Sequence, residues 1–124
     1  RKAIVQQYNE AFSQYDFLKC PPDGDGNAWH LYLIRICPEK LSISRNEFAN
    51  QLQKKGIGIS MHFIPHYRLS YLKKLYGLRA QDFPHAKKQF ENTISIPLWP
   101  DMSQEDIDRV ISTVIDTGKQ NYEC

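Results

Sequence analysis

The chain has 124 residues, of which 41% are hydrophobic, and this length and composition predict one domain with its own apolar core. Its 16 basic and 14 acidic side chains leave a formal net charge of +2, so no polyanionic partner such as nucleic acid is indicated. No apolar run approaches the roughly 20 residues that span a bilayer, and the chain does not open on the hydrophobic segment of a signal peptide. We therefore expect a cytoplasmic protein with no membrane segment.

The first predicted element is an amphipathic helix over residues 2 to about 14. Apolar side chains recur there at helical spacing and indicate one buried stripe: Ile4, Val5, Tyr8, Ala11, Phe12 and Tyr15. No N-cap residue precedes this helix, a pattern that suits a helix continued from an upstream segment. Prolines and glycines at positions 21, 22, 24 and 26 then predict a surface loop over residues 19–27.

Two strands are predicted on either side of a capped helix. Residues 29–36 are apolar on both alternating faces, which predicts a central strand. Ser44 and Glu47 form a capping box, so a helix is expected to begin there and to end at Gly56. Over residues 57–63, apolar side chains alternate with a small polar face, which predicts the second strand.

The remaining residues predict two short helices, a strand and a long helix. Gly77 is expected to end the first short helix, and Asp82 to cap the second. Residues 93–98 form a short strand that prolines close. Ser103, with Asp106 three residues later, caps a last helix with an unbroken apolar stripe.

This order of elements predicts an α+β fold: a small two-layer domain of about three strands packed with helices. The strand, helix, strand unit could pair its strands in parallel through a right-handed crossover. The position of the third strand is left open.

One stretch resembles the start of a calcium-binding loop. Asp23, Asp25 and Asn27 fall at the first three alternate ligand positions of such a loop. Ala28 then stands where the loop needs glycine, and Ile34 where it needs a bidentate glutamate. A polar turn is therefore the better interpretation.

Zinc-binding and nucleophile patterns are also weak. His62 and His66 have the spacing of helical zinc ligands, but Pro65 disfavours a helix at the residue before it. The cysteines are odd in number and form no CxxC pair, so neither a disulfide framework nor a thiolate zinc site is indicated: Cys20, Cys37 and Cys124. No nucleophile signature or glycine-rich phosphate loop is present, and we assign no catalytic residue.

Two histidines and one mixed stretch are candidates for ligand binding. His30 lies on the predicted central strand, where a core histidine and a ligand-binding histidine are equally open interpretations. His62 shares its face with Gly58 and Ser60, which leave room for a ligand or another domain. The stretch HFIPHYRLSYLKKLY interleaves aromatic and basic side chains, as a nucleotide-stacking surface would; an amphipathic helix with a solvated basic face explains it as well.

Three segments, in this order, resemble the closing third of DegT/DnrJ-type sugar aminotransferases: GIGISMHFIP, DFPHA and SIPLWPDMSQEDIDRVI. Upstream, RKAIVQQYNEAF resembles the helix that opens the small domain of that family, and NAWHLYLIRI resembles its first small-domain strand. The HFIP and PLWPDMS forms are most similar to the spore-coat and perosamine-synthase-like branch. Members of that branch act on nucleotide-linked 4-keto-6-deoxy sugars in surface polysaccharide synthesis.

The resemblance implies that residues 1–124 are a C-terminal small domain and that the large cofactor-binding domain lies outside this chain. The full-length enzyme would use pyridoxal phosphate to move an amino group, commonly from glutamate, to the keto carbon of a nucleotide-linked sugar. In this family the cofactor lysine belongs to the large domain. We therefore expect the fragment to hold no cofactor and to be inactive alone, and the full-length enzyme to be a homodimer.

The resemblance also implies site residues. His62 matches the motif histidine of the family, and Phe63 and Pro65 match its neighbours, so we expect them to face the sugar nucleotide. Members of this branch commonly continue with proline, leucine and histidine, whereas this chain has Pro65, His66 and Tyr67. Tyr67 takes the place of the second histidine unless the loop shifts by one residue to use His66. The substrate-binding candidates are His30, His62, Phe63, Pro65, His66 and Tyr67.

An alternative function belongs to another class. A free-standing α+β module could bind a small ligand, or act in regulation, through the face that carries Ser60 and His62.

Overall fold

Helices and a small sheet alternate along the chain in the computed structural model, which describes residues 1–123. The elements in chain order are α1 (Lys2–Phe12), β1 (Leu18–Lys19), β2 (Tyr32–Ile36), α2 (Arg45–Lys54), α3 (Ser70–Tyr76), α4 (Pro84–Asn92), β3 (Thr93–Ile96) and α5 (Gln104–Gln120). Short 3₁₀ turns occupy Pro38–Lys40, His66–Arg68 and Ala80–Asp82. The predicted α+β class is confirmed, and Cys124 lies outside the described residues.

The sheet has the strand order β1-β2-β3, and both pairs are antiparallel. Leu18 pairs with Ile36 across the first pair, and Tyr32 pairs with Ile96 across the second. β2 is therefore central, as its sequence predicts. The parallel crossover that the sequence left open is wrong, because the strand before α2 pairs with β3 and not with the segment that follows α2.

The strand predicted over residues 57–63 is wrong, since only one bridge forms there. Ser60 and Ser95 exchange two backbone hydrogen bonds, with N···O distances of 3.0 and 2.8 Å. Extending this ladder would place Gly58 opposite Pro97, which has no N–H to donate. At the other end the carbonyl oxygen of Thr93 accepts from the buried Arg45 guanidinium at 2.9 Å, which competes with a ladder bond there. The segment forms one bridge and no ladder.

The core lies between the sheet and the helices α1, α2 and α5. β2 turns alternate side chains toward it, and its burial alternates accordingly. Tyr8 of α1 and Tyr32 of β2 meet edge to face, with ring centroids 5.0 Å apart. The Tyr8 hydroxyl donates to the carbonyl oxygen of Pro97 at 2.9 Å, and the Tyr32 hydroxyl donates to Asn9 Oδ1 at 2.7 Å. These two bonds satisfy the polar ends of the buried rings.

Both predicted capping boxes are present. Ser44 Oγ accepts from the backbone N–H of Glu47, and a Glu47 carboxylate oxygen accepts from the backbone N–H of Ser44 at 2.8 Å. Ser103 and Asp106 repeat this exchange at the start of α5. Free amides at both helix starts are thereby satisfied, which fixes where the helices begin.

Two glycines end helices as predicted, whereas Asp82 does not cap the helix expected to begin there. Gly56 and Gly77 follow α2 and α3 with positive φ angles of 82° and 62°, as the sequence predicts. The prediction that Asp82 caps α4 is wrong. Arg79 donates to both carboxylate oxygens of Asp82 at 3.0 Å, and α4 begins after Phe83 without a side-chain cap.

Residues 1–123 include no helix that combines the length and the apolar content needed to cross a bilayer.

Candidate functional site

An open apolar pocket lies where the loop after the Ser60–Ser95 bridge meets the start of α4. It has a volume of about 380 Å³. The loop and the two segments that follow it supply the lining: Phe63, Ile64, Pro65, His66, Tyr67, Leu78, Phe83 and Ala86. Four of the six residues predicted for a substrate site therefore line one cavity: Phe63, Pro65, His66 and Tyr67.

Tyr67 is the one tyrosine among the described residues that line this pocket. Its side chain is 5% exposed, and its ring stacks on Phe83 with centroids 6.0 Å apart and planes inclined by 11°. The Tyr67 hydroxyl is buried and has no hydrogen-bond partner among residues 1–123. Buried hydroxyls are nearly always paired, so an unpaired one on a residue that lines a pocket is a candidate for bonding a ligand group.

His62 stands beside the pocket and does not line it. The residue is half-buried, and its imidazole lies 4.7 Å from the Phe63 ring, measured between centroids. Its Nδ1 is buried and makes no hydrogen bond within the described part of the chain. Phe63 itself is 77% exposed. His62 thus offers an unpaired polar atom, and its neighbour Phe63 offers an exposed aromatic ring.

His30 is not brought to the pocket, and its predicted place on a strand is wrong. The Asn27 side chain accepts from the backbone N–H of Trp29 at 2.9 Å, and Trp29 has a φ of 48°. The chain therefore turns before β2, which begins only at Tyr32. His30 lies exposed in that turn, so the core interpretation of this histidine is wrong as well.

The leucines of α3 do not form a buried stripe. α3 contains no buried residue, and Tyr71, Leu75 and Tyr76 are each more than half exposed. The amphipathic interpretation of this stretch predicts an apolar face packed on the core, which the structure does not contain. An apolar surface adjoining the pocket is left uncovered.

Arg68, which belongs to the predicted aromatic and basic stretch, and Arg45, which the sequence did not single out, both contact one aromatic ring. The guanidinium carbon of Arg45 lies 5.3 Å from the centroid of Phe90, and that of Arg68 lies 5.1 Å from it. Arg45 is buried and donates to the carbonyl oxygen of Thr93 at 2.9 Å. Burial lowers the pKa of the Arg45 guanidinium, and the charge of Arg68 lowers it further.

The polar turn predicted over residues 23–27 agrees with the structure. Asp23 accepts from the backbone N–H of Gly24 at 2.9 Å, and the aspartates of this turn are exposed. Within residues 1–123, no three His, Cys, Asp or Glu side chains cluster as metal ligands would.

Comparison with known proteins identifies the fold as that of a part of sugar aminotransferases. The sugar aminotransferase Spr1654 of Streptococcus pneumoniae, described as putative and solved in its PLP form, is 29% identical with a TM-score of 0.84; the match covers 96% of this chain and 30% of that one. Helicobacter pylori PseC, an aminotransferase of pseudoaminic acid biosynthesis, has a TM-score of 0.86 at 19% identity, a likeness of fold alone. The match covers 96% of this chain and 32% of PseC.

The sequence comparison gives the family. The model of the DegT/DnrJ/EryC1/StrS aminotransferase family matches residues 1–115, and the chain belongs to this family. The spore coat polysaccharide biosynthesis protein SpsC of Bacillus subtilis (strain 168) is 38% identical over 122 residues. That match covers 96% of this chain and 31% of SpsC, so the chain spans about a third of the length of its curated relative.

Proposed function

We propose that residues 1–124 are the C-terminal small domain of a pyridoxal-phosphate-dependent aminotransferase acting on a nucleotide-linked 4-keto-6-deoxy sugar in surface polysaccharide synthesis. The family match and the name of SpsC support this proposal. The observation that carries it is a pair of buried atoms without hydrogen-bond partners: Tyr67 Oη, on a residue that lines the open apolar pocket, and His62 Nδ1, on the residue just before the lining begins. Half of a divided site would leave its polar groups unpaired in this way.

The proposed substrate wall consists of the loop from His62 to Tyr67. His62 and Tyr67 offer hydrogen bonds, Phe63 offers an apolar face, and Pro65 and His66 complete the pocket edge. His30 is left out of this wall, because it lies in the turn before β2 and lines no part of the pocket. These residues bind and orient the sugar; none of them is assigned a proton transfer.

The cofactor would be held outside this chain. Pyridoxal phosphate, when bound through a lysine, supplies the electron sink for amino-group transfer. No lysine of the described residues lines the pocket. The cofactor lysine is proposed to belong to a large domain outside these residues. Glutamate is the proposed amino donor, and the full-length enzyme is proposed to be a homodimer.

The test is a comparison of two histidine variants in the full-length protein. His62→Ala removes the unpartnered imidazole and should raise the KM for the nucleotide sugar about tenfold, because it removes a hydrogen bond to the substrate. His85→Ala, at an exposed position of α4, is the matched control and should leave KM unchanged. Thermal unfolding should show little loss of stability in either variant.

Two outcomes would contradict the proposal. Equal losses of stability and of substrate binding in His62→Ala would make His62 a packing residue. Saturable binding of a nucleotide sugar by the 124-residue chain in calorimetry, with no transamination by the full-length protein, would instead favour a free-standing binding module.

A further inference from the structure

The segment that carries the pocket is free of acidic residues. Residues 48–81 contain no Asp or Glu, although the chain has 14 of them, and they contain six basic residues: Lys54, Lys55, Arg68, Lys73, Lys74 and Arg79. Arg79 is paired with Asp82, just outside this stretch. The overall charge of +2 therefore conceals an uneven distribution along the chain, because the stretch that supplies most of the pocket lining carries only basic charges.

Arg68, inside this stretch, and Arg45, just before it, have no carboxylate partner among the described residues. No Asp or Glu of residues 1–123 lies within ion-pair distance of either guanidinium. Glu91 is the acid close enough to favour the charged form of Arg45, but its carboxylate pairs with Lys87 at 2.8 Å. Arg45 Nε is buried and unpartnered. Two like charges held this close without a counter-ion disfavour each other and favour an anion.

Phe90 fixes the position of both charges. Each guanidinium lies within cation–π distance of its ring, at 5.3 Å for Arg45 and 5.1 Å for Arg68. Arg45 is buried against the ring, whereas Arg68 is exposed and reaches solvent. A restrained arginine loses less side-chain entropy on binding an anion than a free surface lysine does.

The arginine pair and the pocket share two segments of the chain. Phe90 follows Ala86 by four residues of α4, about 6 Å along the helix axis, and Ala86 lines the pocket. Arg68 directly follows Tyr67, the buried residue of the same lining. Both members of this contact, Arg68 and Phe90, thus lie on segments that continue directly from residues lining the pocket.

We propose that Arg68, supported by Arg45 through Phe90, is an anion site that holds the phosphates of the nucleotide-linked substrate, while the pocket between Tyr67 and Phe83 holds an uncharged part of it. This inference rests on the proposed function for the identity of the ligand. The guanidinium of Arg68 donates to phosphate oxygens in the forked geometry that arginine offers and lysine does not. Arg45 acts as a positioning residue: it contacts Phe90 and adds its positive charge to that of Arg68.

The test is a titration of the 124-residue chain with inorganic pyrophosphate at fixed ionic strength, followed by ¹H–¹⁵N NMR. Saturable shifts are expected at Arg68, Tyr67 and Phe90. Arg68→Gln should weaken binding about tenfold, the loss expected for a charge-assisted hydrogen bond. Arg68→Lys, which keeps the charge but not the fork, should give an intermediate loss.

Lys73→Gln is the matched control, because it removes one charge from the same acid-free stretch without touching Phe90. It should change pyrophosphate affinity less than about twofold, as expected of a screened surface charge. Equal losses in Arg68→Gln and Lys73→Gln would overturn the site and leave only a diffuse positive surface. The dispersion of the NMR spectrum confirms that each variant is folded.

The failure of this inference and the failure of the proposed function are distinguishable. Pyrophosphate binding at Arg68 together with an inactive full-length protein would sink the proposed function and leave the anion site intact. A full-length aminotransferase in which Arg68→Gln alters neither the KM for the nucleotide sugar nor inhibition by pyrophosphate would overturn the anion site alone.

Discussion

Tyr67 and Phe83 stack almost in parallel, at 11° and 6.0 Å between centroids, and this contact joins the loop after Ser60 to the start of α4. The stacking buries the Tyr67 ring while its hydroxyl gains no partner within residues 1–123. The buried, unpaired hydroxyl therefore lowers the stability of the folded chain at the position that we propose for ligand binding.

Removing the Tyr67 hydroxyl should stabilise the chain. Tyr67→Phe keeps the ring and its contact with Phe83 and deletes a buried, unsatisfied polar atom, so the free energy of unfolding should rise by about 1 kcal/mol. Urea unfolding followed by circular dichroism measures this change. In the full-length protein, the same variant should bind the nucleotide sugar more weakly.

Tyr8→Phe is the control for that prediction, because the same chemical change should have the opposite sign there. The Tyr8 hydroxyl donates to the carbonyl oxygen of Pro97, and its loss should cost about 1 kcal/mol. If both variants lose stability to the same degree, the Tyr67 hydroxyl has a partner in solution and our interpretation of the pocket is wrong.

Gly118 should not tolerate a side chain. It lies in α5, where alanine is normally preferred by about 1 kcal/mol, but an added Cβ would overlap the ring of Phe17. Both residues are buried, so the ring has little room to move. Gly118→Ala should therefore lower the free energy of unfolding by about 2 kcal/mol, measured by thermal or urea unfolding.

Gly24→Ala separates packing from the general effect of replacing glycine. Gly24 lies in an exposed loop, and nothing lies within 4 Å of an added Cβ. This variant should be neutral or slightly stabilising, by about 0.5 kcal/mol. A Gly118→Ala protein as stable as Gly24→Ala would show that α5 shifts away from Phe17 at little cost.

Glu47 should make stability depend on acid pH. Hydrogen bonds from the backbone N–H and the hydroxyl of Ser44 lower the pKa of the Glu47 carboxyl in the folded chain. The folded state then binds fewer protons than the unfolded state, so this contribution is present above the ordinary value of about 4.3. It is lost as the pH falls through the lower folded pKa.

The measurement is urea unfolding of the native chain and of Glu47→Gln, which retains a neutral capping partner. The native chain should be more stable at about pH 7, and the difference should shrink as the pH falls below the ordinary glutamate value of about 4.3 and the carboxylate becomes protonated. Glu105→Gln, in the first turn of α5 but outside its capping box, is the matched control for removing one acidic side chain from a helix start. A difference that grows as the pH falls would contradict the assignment.

α3 should be the least protected helix in hydrogen exchange. It has seven residues, none of them buried, and isolated helices of this length are marginal in water. Its amides should exchange through local opening, whereas those of β2 should exchange only near the global free energy of unfolding. Mass-resolved exchange of the 124-residue chain measures both; equal protection would mean that α3 is covered in solution.

Local signals made several elements predictable from the sequence. The capping boxes at Ser44 and Ser103, and the glycines at positions 56 and 77, act within a few residues of chain. Their outcome depends little on distant partners, so the helix limits they set are confirmed. The same holds for the family resemblance, which follows residues in order and is confirmed by the family match to residues 1–115.

Non-local competition explains most of what the sequence did not predict. The alternation over residues 57–63 is typical of a strand, but whether it pairs depends on Pro97 and on the carbonyl of Thr93, far along the chain. β1 has only two residues, too few for a periodic signal. The arginine pair escaped notice because its shared contact, Phe90, is distant in sequence from both side chains.

The loop that begins at the single bridge between Ser60 and Ser95 can accept substitutions during evolution. The bridge anchors one end of the loop to the sheet, and the buried Tyr67 anchors the other. The side chains between these anchors, among them Phe63 and Ile64, are largely exposed and take little part in the core. Substitutions there should cost little folding free energy, so the loop that we propose to contact the substrate can vary while the scaffold stays the same.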